Sequence, residues 1–145
     1  MAFGNPYNDI YNFSLVNEWV KKISDIGVSV VVLSDTVGVG ERNVIHELFD
    51  LVINEFPEIE FGAHLHSRPD NWYEKVEAAY DSGCRRFDGA LKGFGGCPMS
   101  GLDLVGNIST ENLIHFMEEK GEKTNIKADV LKEVMKATNS FYPLS

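Results

Sequence analysis

Cysteine is scarce in this sequence: Cys84 and Cys97 are the only two in 145 residues. That is too few for a disulfide framework and suits free thiols in a reducing, cytoplasmic setting. Clustered basic charge is lacking as well. The net charge is -9, and the densest basic stretches are the pairs Lys21-Lys22 and Arg85-Arg86. This argues against nucleic acid or an anionic membrane as the main partner. An acidic chain still takes an anionic substrate where a metal or a few local cations do the work. Long apolar runs are absent too, and the run from Val28 to Leu33 is far too short to span a bilayer. The start, Met1-Ala2-Phe3-Gly4-Asn5-Pro6, has neither a basic region nor a long apolar stretch, so it does not read as a signal peptide. No linker, low-complexity segment or second domain interrupts the chain.

What is there is an ordinary globular balance, 43% hydrophobic and 24% charged, with length enough for one domain and its core. Ser14 is placed to cap a helix running to about Ile26, with Leu15, Trp19, Val20 and Ile23 on one face and Gly27 ending it. Val28 to Leu33 is β-branched and almost wholly apolar, which predicts a strand buried on both faces, as in a parallel sheet. A helix follows from Glu41 to Phe56, stopped by Pro57. Ile59 to His66 predicts a second strand, and Asp70 caps a helix over Asn71 to Ser82 with Gly83 behind it. Cys84 to Leu91 predicts a third strand. Ser109 or Thr110 caps a helix to Lys120, and a last helix covers Ala128 to Thr138. Strands alternating with helices point to the α/β class with parallel βα units. Each strand ends in polar residues, and in such folds chemistry gathers at the carboxyl ends of strands.

His64-Leu65-His66 ends the second strand. Strand period is two, so both imidazoles face one side. That suits one metal ion, or equally two histidines that satisfy hydrogen bonds at the rim of a core. With Asp35 and Asn107 as oxygen donors on other loops, the mixed set fits octahedral Mg²⁺ or Mn²⁺ better than a thiolate-rich Zn²⁺ site. Asp35-Thr36 ends the first strand and serves either a ligand or a turn cap. Gly93-Phe94-Gly95-Gly96-Cys97-Pro98 follows the third strand, and its glycines allow a mobile loop that ends at a thiol. Cys97 is then a general acid or nucleophile, or a small residue in a turn. Gly106-Asn107 reads on its own as a turn. Cys84 and the helix aromatics Trp19, Phe49, Trp72 and Phe116 are assigned to the core, and His46 and His115 to solvated or packed helix positions.

Taken together and in order, Leu33-Ser34-Asp35-Thr36-Val37-Gly38-Val39-Gly40, Ala63-His64-Leu65-His66, the glycine loop through Cys97-Pro98, and Gly106-Asn107 with Thr110-Glu111 resemble the 3-hydroxy-3-methylglutaryl-coenzyme A lyase family. Those are metal-dependent lyases built on TIM barrels, related to Claisen-type synthases. Phe3-Gly4-Asn5-Pro6-Tyr7 resembles the family's segment after its fifth strand, with Asn5 where the family usually has Cys. The resemblance implies that His64, His66 and Asn107 are metal ligands and that Cys97 takes part in catalysis. It implies that Asp35 takes part in catalysis and, with Thr36 beside it, shapes the substrate site, and that Gly93, Gly95, Gly96 and Pro98 form a lid. The implied reaction is retro-Claisen cleavage of a hydroxyacyl-CoA to acetyl-CoA and acetoacetate, with a divalent metal as template and Lewis acid.

The sequence departs from the family at Ser67, where Asp is usual, and over Ser67 to Asn71 and Met99 to Val105. These positions bear on which acyl-CoA is the substrate. The family's first-strand segment, with its Asp ligand and its Arg, has no counterpart here. A TIM barrel takes about 250 residues. The expectation is therefore a partial TIM (β/α)8 barrel, its C-terminal half, from about strand five or six to strand eight. It would have an open sheet edge and either form a homo-oligomer or pair with the missing barrel half. The alternatives are a synthase or aldolase relative and a non-catalytic fragment that needs a partner.

Overall fold

The computed structural model describes residues 1–96 and 105–141, with side chains through residue 138. The order is α1 (Phe13–Asp25), β1 (Val30–Asp35), α2 (Arg42–Glu55), β2 (Glu60–Ser67), α3 (Trp72–Asp81), β3 (Arg86–Phe87), a 3₁₀ turn (Leu91–Gly93), β4 (Gly106–Asn107), α4 (Thr110–Glu119) and α5 (Ala128–Phe141). The strands β1, β2 and β3 lie side by side and parallel, and β4 runs antiparallel against the end of β2. This is the expected α/β pattern.

Register explains which side chains meet the helices. Val31, Leu33 and Asp35 stand opposite Phe61, Ala63 and Leu65, and cross-strand partners share a face. That face is buried under α2 and α3, where Ile45, Leu48, Phe49, Val52, Val76 and Ala79 are fully enclosed. Each of these side chains except that of Ala79 contributes about 1.5–3 kcal/mol by leaving water. The other face of β1 is not covered. Val30 and Val32 are 38% and 39% exposed, so the strand expected to be buried on both faces is buried on one. No strand lies beyond β1 among the described residues. Only the start of the chain comes alongside, where Ala2 N–H donates to Ser34 C=O at 2.9 Å and Phe3 packs on Phe49.

The same open side accounts for Trp19. Expected in the core, it is 55% exposed, with the Lys22 ammonium 4.5 Å from its ring centroid. It lines a groove of about 370 Å³ between α1 and β1, together with Ile10, Val16, Ile23, Val31 and Val32. Phe49 and Phe116 are core residues as expected, and Trp72 packs, partly buried, against the core cluster. Asn12, not Ser14, caps α1, its Oδ1 accepting from Leu15 N–H at 2.8 Å. The third strand is shorter than the expected Cys84 to Leu91. Beyond Asp88 the chain leaves β2, and Ala90 bonds instead to Ile108 and Thr110.

Because Phe49 is enclosed and Trp19 is not, Phe49→Ala is expected to cost about 3–5 kcal/mol and Trp19→Ala under about 1 kcal/mol. Urea denaturation of the two variants against the parent chain measures both.

Candidate metal and substrate site

Strand β2 carries His64 and His66 to its carboxyl end on the face opposite the helices. Their rings lie 5.3 Å apart between centroids, tilted by 57°. His64 is partly exposed, with Nδ1 3.5 Å from Asp88 Oδ2. His66 is 5% exposed, and its Nδ1 is buried with no hydrogen-bond partner among the described residues. Burial holds the His66 imidazole below the usual histidine range, and the neighbouring His64 adds to this. The Asp35 charge and hydrogen bonds with the Thr36 backbone and Asn107 work in the other direction. The net effect favours the neutral ring, the form that donates a lone pair to a metal.

By its local sequence alone Asn107 suits a turn. It lies instead in β4, directly opposite His66 in the antiparallel ladder. Its Nδ2 donates to Phe94 C=O at 2.8 Å, which fixes the way the amide faces. The first half of the glycine loop therefore packs on Asn107. At Gly95, φ is +88°, and a Cβ would come within 3.0 Å of Asn107 Nδ2. Gly96 bridges to Gly106, and Lys92 N–H donates to both Glu111 carboxylate oxygens at 3.1 and 3.0 Å. The glycines expected to supply freedom serve close approach here. Cys97 and Pro98 lie outside the described residues.

Asp35 and Thr36 end β1, but their positions differ. Thr36 is half-buried. Asp35 is 1% exposed and turns toward the helix layer, where its Oδ2 accepts from Lys75 Nζ at 2.8 Å and from Gly40 N–H at 3.0 Å. A Cβ at Gly40 would sit 3.0 Å from that oxygen, so glycine lets the carboxylate approach. Asp35 Oδ1 is buried with no hydrogen-bond partner among the described residues. Burial and the Asp35 charge push the Tyr11 phenol above its usual range.

Lys75 was not singled out from the sequence. It is 2% exposed, and its ammonium also donates to Gly38 C=O at 2.9 Å and His66 C=O at 3.0 Å. One signal was available. Trp72, Lys75, Val76 and Ala79 fall at helical spacing on the buried stripe of α3, and a lysine in such a stripe needs acceptors. Cys84 is in the core as expected. Burial pushes its thiol up to about 12, and its Sγ contacts Phe61 and Arg86 carbonyls at 3.5 and 3.2 Å. Beside the strand ends lies a pocket of about 670 Å³, bordered by Gly38, Gly40, Arg42, Arg68, Asn71 and Val105 among others.

Parallel βα units with polar residues gathered at the strand ends place the chain in the class of α/β proteins whose chemistry sits at that end of the sheet. The HMGL-like family model matches residues 1–138, and the chain belongs to the HMGL-like family. It is 32% identical to the (R)-citramalyl-CoA lyase of Chloroflexus aurantiacus over 90% of this chain and 41% of that protein. It is 28% identical to the hydroxymethylglutaryl-CoA lyase of Pseudomonas mevalonii over 92% of this chain and 44% of that one. The chain thus spans less than half the length of these relatives. The HMG-CoA lyase of Acinetobacter baumannii, solved with coenzyme A and 3-methylmalate, superimposes with a TM-score of 0.83 at 31% identity, over 96% of this chain and 45% of that one. The Bacillus subtilis HMG-CoA lyase gives 0.86 at 26%, over 97% and 47%. The fold is therefore an α/β unit with a parallel sheet that matches part of the TIM-barrel lyases.

The Lys75–Asp35 pair makes a quantitative expectation. Lys75→Met strands a buried carboxylate and costs about 3–5 kcal/mol. Lys75→Met combined with Asp35→Asn removes both charges and loses less than Lys75→Met alone. Urea midpoints of the parent and the two variants give the comparison.

Proposed function

We propose that this chain forms the C-terminal part, residues 1–145, of the catalytic domain of a divalent-metal-dependent carbon–carbon lyase acting on a hydroxyacyl-CoA. The observation that carries the reading is the meeting of His64, His66 and Asn107 at the end of β2, with a buried His66 nitrogen lacking a partner. Two imidazole nitrogens and an amide oxygen suit Mg²⁺ or Mn²⁺. Among the described residues no three His, Cys, Asp or Glu side chains converge, so remaining positions fall to substrate, water or another segment. A bound cation supplies a template for the substrate's oxygens and a Lewis acid.

The chain's own groups have separable tasks. His64, His66 and Asn107 hold the ion. Thr36 and the polar pocket beside Gly38, Arg42 and Arg68 receive part of the acyl-CoA. Asp35 supports the site from beneath. In the cleavage of 3-hydroxy-3-methylglutaryl-CoA, the substrate's hydroxyl proton passes to a base. The carbon–carbon bond then breaks to give acetoacetate and the enolate of acetyl-CoA, which needs a proton at carbon. Cys97 Sγ–H is the donor we assign to that carbon, with Gly93 to Pro98 as the lid that excludes water. The names of the relatives support a CoA thioester substrate, and both citramalyl-CoA and hydroxymethylglutaryl-CoA lyases are among them. A cytoplasmic location belongs to the proposal too, with relatives named as cytoplasmic in Danio rerio and mitochondrial in Homo sapiens. No helix among the described residues is long and apolar enough to cross a membrane.

The test is retention of Mn²⁺, followed by electron paramagnetic resonance. The chain is expected to bind Mn²⁺ weakly, His66→Ala to weaken it at least about tenfold, and the chain alone to show little or no cleavage of 3-hydroxy-3-methylglutaryl-CoA. Binding unchanged in His66→Ala rules out this ligand set, and rapid turnover by the pure chain rules out a need for the rest of a barrel.

A second reading has its own observation, the uncovered face and free edge of β1. It makes the chain a unit that completes its sheet with a further barrel segment or another copy. Sedimentation velocity over a wide concentration range decides it: self-association is expected to grow with concentration, and a stable monomer throughout excludes pairing between copies.

A further inference from the structure

The bonds made by Lys75 go beyond a buried ion pair. Its ammonium has three protons, and three acceptors receive them: Asp35 Oδ2 at 2.8 Å, Gly38 C=O at 2.9 Å and His66 C=O at 3.0 Å. All three belong to the segments that build the site, namely the end of β1, the loop that follows it and the end of β2. Nothing in the acceptor set comes from the helix that carries the lysine. Burying a lysine among apolar residues is an expensive way to stabilise a fold, since a well-packed hydrophobic pair is often as good or better. What the ammonium does that a hydrophobic pair does not is fix the main chain of His66 relative to β1.

That main chain matters because it carries the ring proposed above as a ligand. His66 Nδ1 is the buried nitrogen without a hydrogen-bond partner among the described residues, the one left for an ion. The ring interacts otherwise with the Thr36 backbone and Asn107. The backbone behind it is held from the other face of the sheet, from Asp35 Oδ2 through the Lys75 ammonium to the His66 carbonyl.

We infer that Lys75 is a positioning residue for the metal site, holding the His66 backbone, and through it the ring, by the bonds to His66 C=O, Gly38 C=O and Asp35. The inference rests on the ligand set proposed above, and the two are tested separately. Mn²⁺ affinity and the imidazole ¹⁵N shifts of the metal-free chain are compared in Lys75→Met and in Leu48→Ala. Leu48 is a fully buried α2 residue that lies in the core and makes no part of the site, so it controls for loss of stability alone. Lys75→Met is expected to weaken Mn²⁺ binding by at least about tenfold and to move the His66 ¹⁵N resonances. Leu48→Ala is expected to change binding by less than about threefold, as for a site with no shared partners, and to leave those resonances in place. Where Lys75→Met does not fold, Lys75→Met with Asp35→Asn carries the comparison, and the same losses are expected although both charges are gone. Equal Mn²⁺ affinity in the lysine and leucine variants, with His66 resonances unmoved, overturns the inference. If the parent chain binds no Mn²⁺ through His66, the ligand set fails. The ¹⁵N shifts then decide the role of Lys75 alone, displaced resonances upholding it and unmoved ones overturning it.

Discussion

One ammonium group ties together the strand ends that carry the candidate site. Lys75 reaches from α3 into the sheet and bonds to the ends of β1 and β2 at once. A charge so placed must have its acceptors, and the surrounding sequence is arranged to provide them. Gly40 leaves room for the Asp35 carboxylate. The β1–α2 loop brings Gly38 C=O down to the same nitrogen. The parallel register, Ser34 opposite His64 and Asp35 opposite Leu65, sends the histidines to one face of the sheet and the carboxylate to the other. The pair beneath the sheet and the imidazoles above it are thus two sides of one pair of strands.

The antiparallel contact of β4 completes this arrangement. It sets Asn107 against His66 and draws the first half of the glycine loop in beside it, through Phe94 C=O and Gly96. Two residues that lie 41 positions apart in sequence become neighbours by a ladder only two residues long. The arrangement depends on main-chain approach, which explains glycine at Gly95 and Gly96, where an added Cβ would come to 3.0 and 2.9 Å of its neighbours.

Much of the fold was legible because its signals are local. The strand Glu60–Ser67 and the helix Arg42–Glu55 fall within a residue or two of their periodic runs, and the same-face placement of His64 and His66 follows from strand geometry alone. The Cys84 thiol is buried, in line with its assignment to the core. What sequence could not convey depended on distant neighbours. Val30 and Val32 look like residues buried on both faces of a sheet, yet their exposure depends on what stands beyond β1. Trp19 fails in the same way and for the same reason. Asn107 looks like part of a turn until a strand 41 residues earlier receives it. Lys75 is inconspicuous by residue type, since lysine in a helix is ordinarily solvated, although its place in the buried stripe of α3 marks it out. For the candidate site, the residues proposed as ligands stand out in the sequence, and the means of holding them does not.

The enclosure of Cys84 bears on how this protein meets oxidants. Peroxides, disulfides and electrophiles attack the thiolate, and with the thiol pushed up to about 12 only about one molecule in a hundred thousand carries that form at neutral pH. Access is closed as well, with the residue 1% exposed. In the folded chain Cys84 is therefore closed to oxidants, and its modification requires the core to open first.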